Sequence, residues 1–502
     1  MKICFVGNLS TTFIKRDYEI LNKHFDVDVI EPPKKKSGWF KYLFTVKNKI
    51  KKCDVAFGWF AGWHTAFSVH YSKKYKRRSI VVVGGYDAAY IPEINYGAFT
   101  NLKERIPARY VLKHADLILP VSEFTKKEVL KRVKPKQVKL LYNGVNINKF
   151  KSNKTKENFV ITIGNKIRLK GLDTFADASK NFPNHKFVII GDNKTNTEIL
   201  SNPNIIFTGK IPHDEVLKWL QKAKVYCQLS YTESFGMGLA EAMACECVPV
   251  VTDRGAIHEV VGDAGFYVPY GNEKATTEAI KKALNASDKL GKMAREQIES
   301  FSLRKRETRL VEIVKMVDSI TSAVDIRLKK SIKIANIKDK EKVLDLGCGN
   351  KILKYYLSDG IEYTGIDKID GIDLEKELPS SILSQKFDVI FMNEFIEHIE
   401  NFKSLLMKCR EILSDNGRII ISTPSANRII YGDIFNGIGE DKTHICCFKK
   451  SNMRNLVRIC GFKITKIIGT YIRFPPLLPN KFIAIPTNQT IYSEVIIYRL
   501  EH

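Results

Sequence analysis

The chain has 502 residues, 44% of them hydrophobic and 27% charged, with a formal net charge of +26. That length exceeds what one hydrophobic core supports, so several domains are expected. No apolar run approaches the roughly 20 residues needed to cross a bilayer, and the composition excludes disordered and fibrous classes.

The opening MKICFVGNLS passes straight into a strand without the apolar core of a secretory signal, so a cytoplasmic chain is expected. Ten cysteines without a C-x-x-C pair read as reduced and mostly buried. The charge is uneven: residues 1–150 hold 29 Lys+Arg against 12 Asp+Glu, a net +17, whereas 151–324 and 325–502 carry only +4 and +5. Such a field suits an anionic partner.

Short β-branched runs alternate with helical patterns, the sequence form of parallel α/β sheets. Strands are expected at 2–7, 25–30, 54–59, 79–85, 116–122 and 137–144, then at 158–164, 186–191, 204–209, 225–230 and 248–252. A third series runs 342–347, 363–367, 387–392 and 418–423. This gives three Rossmann-like units, 1–150, 151–320 and 325–502, with the charged, helix-prone 296–335 as connector.

Between the first strands lies KKKSGWFKYLFTVKNKIKK (34–52). As a helix it would gather Trp39, Phe40, Leu43, Phe44 and Ile50 mainly on one side, ringed by Lys41, Lys47, Lys49 and Lys51. A basic amphipathic helix reads as a peripheral contact with an anionic membrane; the alternative is a helix packing on its sheet through those aromatics. GGYDAAY (84–90) follows a strand and should face a cleft, making Asp87 a catalytic or sugar-binding candidate or a turn-stabilising one. His64 is a weaker candidate, a packed histidine being its plainer reading.

The most informative stretch is YTESFGMGLAEAMACECVPVVT (231–252). A strand ends, a Gly-containing loop follows, and a helix begins near Phe235 or Gly236, whose free amides and dipole suit a diphosphate. Glu233 and Glu241, seven residues between them, can each accept two hydroxyl hydrogen bonds from a sugar or ribose. The stretch resembles the E-x7-E motif of glycosyltransferase family 4, the retaining GT-B enzymes. That resemblance, carried also by ITIGNKIRLKGLDTFADA (161–178), VSEFTKKEVL (121–130) and NGVNINKF (143–150), covers about 1–320.

It implies an acceptor-side domain at 1–150 and a nucleotide-sugar domain at 151–320. Glu233 would contact the donor sugar, Glu241 the ribose, and the backbone of Phe235, Gly236 and Met237 the diphosphate of a UDP- or GDP-sugar. Gly7 and Gly164 would allow close approach, and Lys170 would neutralise the leaving diphosphate. Asn165 stands where the family often has Arg, so Lys166 or Arg168 would supply the second charge. Without a D-x-D motif at a strand end, no metal is expected. The acceptor would be a saccharide or lipid-linked.

KVLDLGCGN (342–350) is a strand entering a Gly-rich turn, and Asp367 ends the next strand where nucleoside-binding units place a ribose acid. Together with FDVIFMNEFIEHIENFKSLLMKCREILSDNGRIIISTPS (387–425) and HICCFKKSNMRNLVRICGFKI (444–464), it resembles class I S-adenosylmethionine-dependent methyltransferases. The resemblance sets Asp345, Gly347 and Gly349 around the methionine end of S-adenosylmethionine. Asp367 would lie on ribose, Asp373 and Leu374 near adenine, and Asn393 over the pocket. Glu397, His398 and His444 are candidate bases for O-methylation.

The fold expected is therefore α/β, a GT-B pair of Rossmann-like domains followed by a class I methyltransferase domain, acting as a bifunctional glycan-modifying enzyme. The basic charge admits an RNA-modifying methyltransferase instead. Against that, the charge sits in the sugar-transferase region, and no N-P-P-Y-like tetrapeptide follows FDVIFM, so no nucleic-acid partner is expected. A fusion with one inactive half is the remaining alternative.

Overall fold

The structure is a computed structural model, describing residues 1–152, 155–191, 202–319, 322–367, 378–425, 450–474, 483–488 and 495–502. It divides into two units, Met1–Val314 and Lys315–His502.

The first unit holds two parallel sheets. Strands β1 (Lys2–Val6), β2 (Asp26–Ile30), β3 (Val55–Trp59), β4 (Arg78–Val83) and β5 (Leu117–Pro120) lie in the order β2-β1-β3-β4-β5. Runs such as VAFGW are buried on both faces, as a parallel sheet covered by helices requires. The second sheet uses β6 (Glu157–Ile163), β7 (Phe187–Ile190), β8 (Ile205–Gly209), β9 (Ala223–Gln228), β10 (Val248–Thr252) and β11 (Phe266–Val268), ordered β11-β10-β9-β6-β7-β8. In each sheet the strand order reverses beside the first strand, and a crevice at such a switch point is where open α/β sheets bind ligands.

Residues 137–144 do not form the expected strand. Their backbone exchanges three hydrogen bonds with Ile118 and Pro120 at the β5 edge. The carbonyls of Leu141 and Tyr142 then go to the Arg306 guanidinium instead of a ladder. Arg306 is 5% exposed and also binds both oxygens of the fully buried Asp17, at 2.7 and 2.6 Å. Trp59 Nε1 donates to the same carboxylate at 2.9 Å. Helix Leu303–Ser319 is thereby tied to helix Thr12–His24 across 289 residues of sequence.

Helix Trp39–Lys52 forms, but its apolar residues divide otherwise than expected. Tyr42, Val46 and Ile50 turn inward onto Cys4, Val6, Ile30 and Ala56. Phe40 and Phe44, one turn apart, stand outward at 84% and 63% exposure. Spacing sees only that apolar residues recur; it does not say which of two stripes meets the sheet.

In the second unit, helix Ser322–Ala335 leads into β12 (Lys342–Leu346), β13 (Glu362–Ile366), β14 (Phe387–Asn393) and β15 (Leu413–Pro424). Then come β16 (Lys463–Gly469), the ribbon β17 (Tyr471–Phe474) with β18 (Ile483–Pro486), and β19 (Val495–Glu501). The sheet order is β13-β12-β14-β15-β19-β16, with β19 antiparallel to both neighbours. The final hydrophobic run VIIYRL thus closes the sheet from its reverse direction. Among the described residues no helix is long and apolar enough to cross a membrane, and the eight described cysteines are free and buried.

Candidate active sites

In the first unit, the loop after β9 carries Glu233, and Gly236, at φ +85°, starts helix Met237–Ala244. Left-handed backbone at that residue suits glycine, and the helix it starts leaves its first amides without intrahelical acceptors. Three donors converge on Glu233 Oε1: Lys170 Nζ, Gln228 Nε2 at 2.9 Å and Ser230 Oγ at 2.9 Å. Lys170 reaches it past Gly164, where a Cβ would stand 2.8 Å from the lysine chain. Lys170 and Glu233, 63 residues apart in sequence, are therefore in contact in the folded chain. Phe235 is buried beneath the loop, while Arg168 and Lys166 are exposed at the edge of the short helix Ile167–Lys170. Gly7 ends β1, and a Cβ there would collide with Ile14 at 2.9 Å.

Glu241 lies one face further along and is 6% exposed. Its carboxylate meets Arg16 Nη2 at 3.0 Å and His213 Nε2 at 3.1 and 3.2 Å. Arg16 comes from the other sheet's first helix, so the expected ribose carboxylate spans both halves of the unit. Neither Arg16 nor His213 carried a sequence signal: 225 and 28 residues separate them from Glu241.

Asp87 has both oxygens occupied, Oδ2 by the Ala61 amide at 2.8 Å and Oδ1 by that of Gly85 at 2.9 Å. It is 2% exposed, and burial pushes its carboxyl up to about 6 against the pull of those amides. The geometry is that of a loop buckle. His64 packs in a similar way: Nε2 meets the Trp59 carbonyl at 2.8 Å, and burial lowers its basicity.

The buckled loop approaches the donor loop closely. A Cβ on Gly85, at φ +114°, would stand 1.6 Å from Ser234 Oγ. Tyr96, from the same segment, has its phenol pushed up by burial and then by the negative charge of Glu233. Glu259 of the second half receives the amides of Glu123 and Phe124 at 2.8 and 2.7 Å, capping helix Glu123–Arg132 of the first. Sequence reasoning missed Tyr96 and Glu259; neither belongs to a local pattern.

In the second unit, Asp345, the penultimate residue of β12, is buried and accepts from Tyr363 at 2.9 Å. Burial, aided by Asp367, pushes its carboxyl up to about 7. Gly347 and Gly349 have φ of +71° and +48°. A Cβ on Gly347 would strike Phe395 at 2.3 Å, whereas nothing lies within 4 Å of one on Gly349. Asp367 Oδ2 accepts the Gly349 amide at 2.7 Å, so the acid after β13 and the Gly turn after β12 meet. Asn393 Oδ1 accepts from Ser331 and Ser422, both at 3.1 Å. Its Nδ2 is buried with no partner among the described residues. Glu397 is 1% exposed, accepts from Thr423 at 3.3 Å, and is pushed up to about 8 by burial. His398 is half-buried on the same 3-10 turn. Asp373, Leu374 and His444 lie outside the described residues. No metal-binding group of His, Cys, Asp or Glu occurs among the described residues.

Residues 145–300 match the family model described as Glycosyl transferases group 1, and 323–467 match one described as Methyltransferase domain. The chain joins a group 1 glycosyl transferase region to a methyltransferase domain. An uncharacterized glycosyltransferase of Methanocaldococcus jannaschii is 30% identical over 219 residues, 41% of the fusion and 62% of that protein. The O-antigen chain mannosyltransferase of Salmonella typhimurium is 25% identical over 36% of the fusion and 54% of its own length. For the second unit, a ubiquinone biosynthesis O-methyltransferase of Glaesserella parasuis is 30% identical over 127 residues, 20% of the fusion and 54% of that enzyme. The fusion thus spans between half and two thirds of each of these relatives.

Among solved structures, sucrose-phosphate synthase from Thermosynechococcus elongatus superposes with a TM-score of 0.53 at 15% identity, over 63% of the fusion and 99% of that chain. Anabaena HepE in complex with UDP and glucose gives 0.51 at 16%, over 63% and 99%. At those identities the likeness establishes the fold, a GT-B pair of Rossmann-like halves.

Proposed function

We propose that the first unit transfers a glycosyl residue with retention from a UDP- or GDP-sugar to a saccharide or lipid-linked acceptor. In this reading the second unit methylates a hydroxyl of a glycan or related small molecule with S-adenosylmethionine. The observation that carries the first half is the Glu233–Lys170 contact beside the start of helix Met237–Ala244. An acid to hold donor hydroxyls and a cation to meet the departing diphosphate stand side by side, where they favour the transition state's charge. Glu241 would take the ribose in exchange for Arg16. Asp87 would act by fixing the loop that faces the donor.

The second unit's residues fit S-adenosylmethionine. The turn at Gly349 is open where a Cβ would sit, Asp367 stands at the second strand's end, and Asn393 holds a buried amide awaiting an acceptor. Bound there, the cofactor supplies the methyl group. Asp345, Gly347 and Gly349 would hold its methionine end, Asp367 its ribose, and Asp373 and Leu374 the adenine side. Glu397, its carboxyl pushed up to about 8 by burial, would orient the acceptor hydroxyl as a neutral acid, and His398 or His444 would deprotonate it. The likeness to an O-methyltransferase supports oxygen as the methylated atom.

Peripheral attachment to an anionic membrane belongs to the same reading. Residues 34–52 contain eight lysines and no acid. The outward Phe40 and Phe44 offer apolar insertion beside exposed Lys41, Lys47 and Lys51.

The test is incubation of the full chain with UDP- and GDP-sugars and a saccharide acceptor panel, following nucleotide release and the anomeric configuration by NMR. Methyl transfer from labelled S-adenosylmethionine to the products is measured in parallel. Retention and methylated product are expected; inversion, or methylation of tRNA in place of glycan, would refute the assignment.

A further inference from the structure

Beside the donor loop a cavity of about 210 Å3 opens between the two halves of the first unit. Gly85 and Tyr90 form one wall, and Thr232 and Ser234, flanking Glu233, form the lip. The remaining wall is helix Glu123–Arg132, whose last two turns present Glu128, Lys131 and Arg132.

Arg132 is fixed on every side. Its Nε donates to the Ala88 carbonyl at 3.3 Å and its Nη2 to Glu128 at 2.9 Å. Its guanidinium carbon lies 5.5 Å from the Tyr90 ring centre and 5.7 Å from that of Phe99. A guanidinium has five N–H donors, and these contacts engage two. Lys131 also pairs with Glu128, at 2.7 Å, so two cations share one carboxylate and leave one positive charge at the cavity wall. Lys166, outside the lining itself, has its Nζ 5.9 Å from the ring of the lining residue Tyr96. Tyr90, half exposed, offers a face on which a sugar's C–H side can stack.

We propose that this cavity selects an acceptor sugar carrying an anionic substituent, a phosphate or a carboxylate. Arg132 and Lys131 are the selecting cations and Tyr90 is the stacking surface. The proposal rests on the glycosyl-transfer reading and names its acceptor chemistry. A pre-oriented guanidinium meets two anionic oxygens in bidentate fashion without losing much rotamer freedom. A neutral sugar would leave the surplus charge uncompensated. The concentration of basic charge in residues 1–150 would draw the same class of ligand toward the cleft.

The experiment uses the full chain saturated with UDP or GDP, so that the donor's phosphate positions are filled. Glucose 6-phosphate, glucuronic acid, methyl α-glucoside and inorganic phosphate are titrated as probes by saturation-transfer NMR. One or both anionic sugars are expected to bind at least about tenfold more tightly than methyl glucoside, and the better of the two identifies the substituent. Arg132→Gln should abolish that preference, and Lys131→Gln, at an exposed position, should weaken it several-fold. Tyr90→Ala should weaken both sugars alike. Equal affinity for charged and neutral sugars, no binding of any sugar, or inorganic phosphate binding as tightly as glucose 6-phosphate would each overturn the proposal. So would an unchanged preference in Arg132→Gln. If neither UDP nor GDP binds, the glycosyl-transfer reading fails first, and the same samples reveal it.

Discussion

Glu241, within helix Met237–Ala244, and Asp367, just after β13, are the acids proposed to hold ribose in the two units, and each is hydrogen-bonded in the folded chain. A nucleoside's ribose must therefore trade places with an existing partner. For Asp367 the partners include the Gly349 backbone amide. Asp367→Ala should weaken S-adenosylmethionine binding by about 1.5–3 kcal/mol, the value of a charge-assisted hydrogen bond, as read by calorimetry. For Glu241 the partners are Arg16 and His213, so Glu241→Ala should do two things. It should weaken UDP or GDP binding by a similar amount, and it should lower stability by about 1–3 kcal/mol, because Arg16, 12% exposed, loses its carboxylate partner.

Asp345 gives a pH dependence. Its folded carboxyl titrates near 7, above the ordinary carboxylate value near 4, because burial favours the neutral form. The folded chain thus holds a proton that the unfolded chain has lost. This group's contribution to stability is fully present below about pH 4 and is lost as pH rises through about 7. The positive sulfonium of the cofactor favours the ionised form. Its affinity should therefore rise between pH 6 and 8, with proton release on binding near pH 6.5. Asp345→Asn should flatten both effects in calorimetry across buffers of different ionisation enthalpy; an unchanged profile would assign the dependence elsewhere.

Among the elements, the parallel strands were legible because a strand buried on both faces must be written as a continuous apolar run, as IVVV at 80–83 and FVITI at 159–163 are. The strand–loop–helix passages were legible because glycines and acids fall at fixed short offsets. The run 137–144 has the same apolar look yet pairs only in part. What diverts it is Arg306, a residue 164 positions away from Tyr142. The Asp17–Arg306 pair was invisible for the same reason. Breaking a buried pair by removing one partner leaves an uncompensated charge, so Arg306→Ala should cost about 3–5 kcal/mol. All four tryptophans, at 39, 59, 63 and 219, lie in the first unit. Denaturation followed by their fluorescence therefore reports that unit alone, and a midpoint unchanged from wild type would show that the pair contributes nothing.

At the scale of the whole molecule, the uneven charge was readable by counting, but its deployment was not. Helix Trp39–Lys52 shows why: sequence periodicity proposed one apolar stripe, and folding split it into an inward Tyr42, Val46 and Ile50 and an outward Phe40 and Phe44. The outward pair makes the membrane reading sharper. Full chain should float with vesicles containing phosphatidylglycerol at low salt, and a Phe40→Ser, Phe44→Ser double variant should lose most of that binding while keeping its fold. Each lysine near an anionic surface contributes about 1 kcal/mol, so raised salt should release the protein; retention on neutral vesicles alone would contradict the charge argument.

The proposed function requires two independent nucleoside-binding sites on one chain. Calorimetric titration of UDP, GDP and S-adenosylmethionine into wild type, Glu241→Ala and Asp367→Ala tests it directly. Wild type should bind S-adenosylmethionine and one of the two nucleotides. Glu241→Ala should lose only nucleotide affinity, and Asp367→Ala only cofactor affinity. Loss of both ligands in either variant, or a wild-type chain that takes up neither, would contradict it.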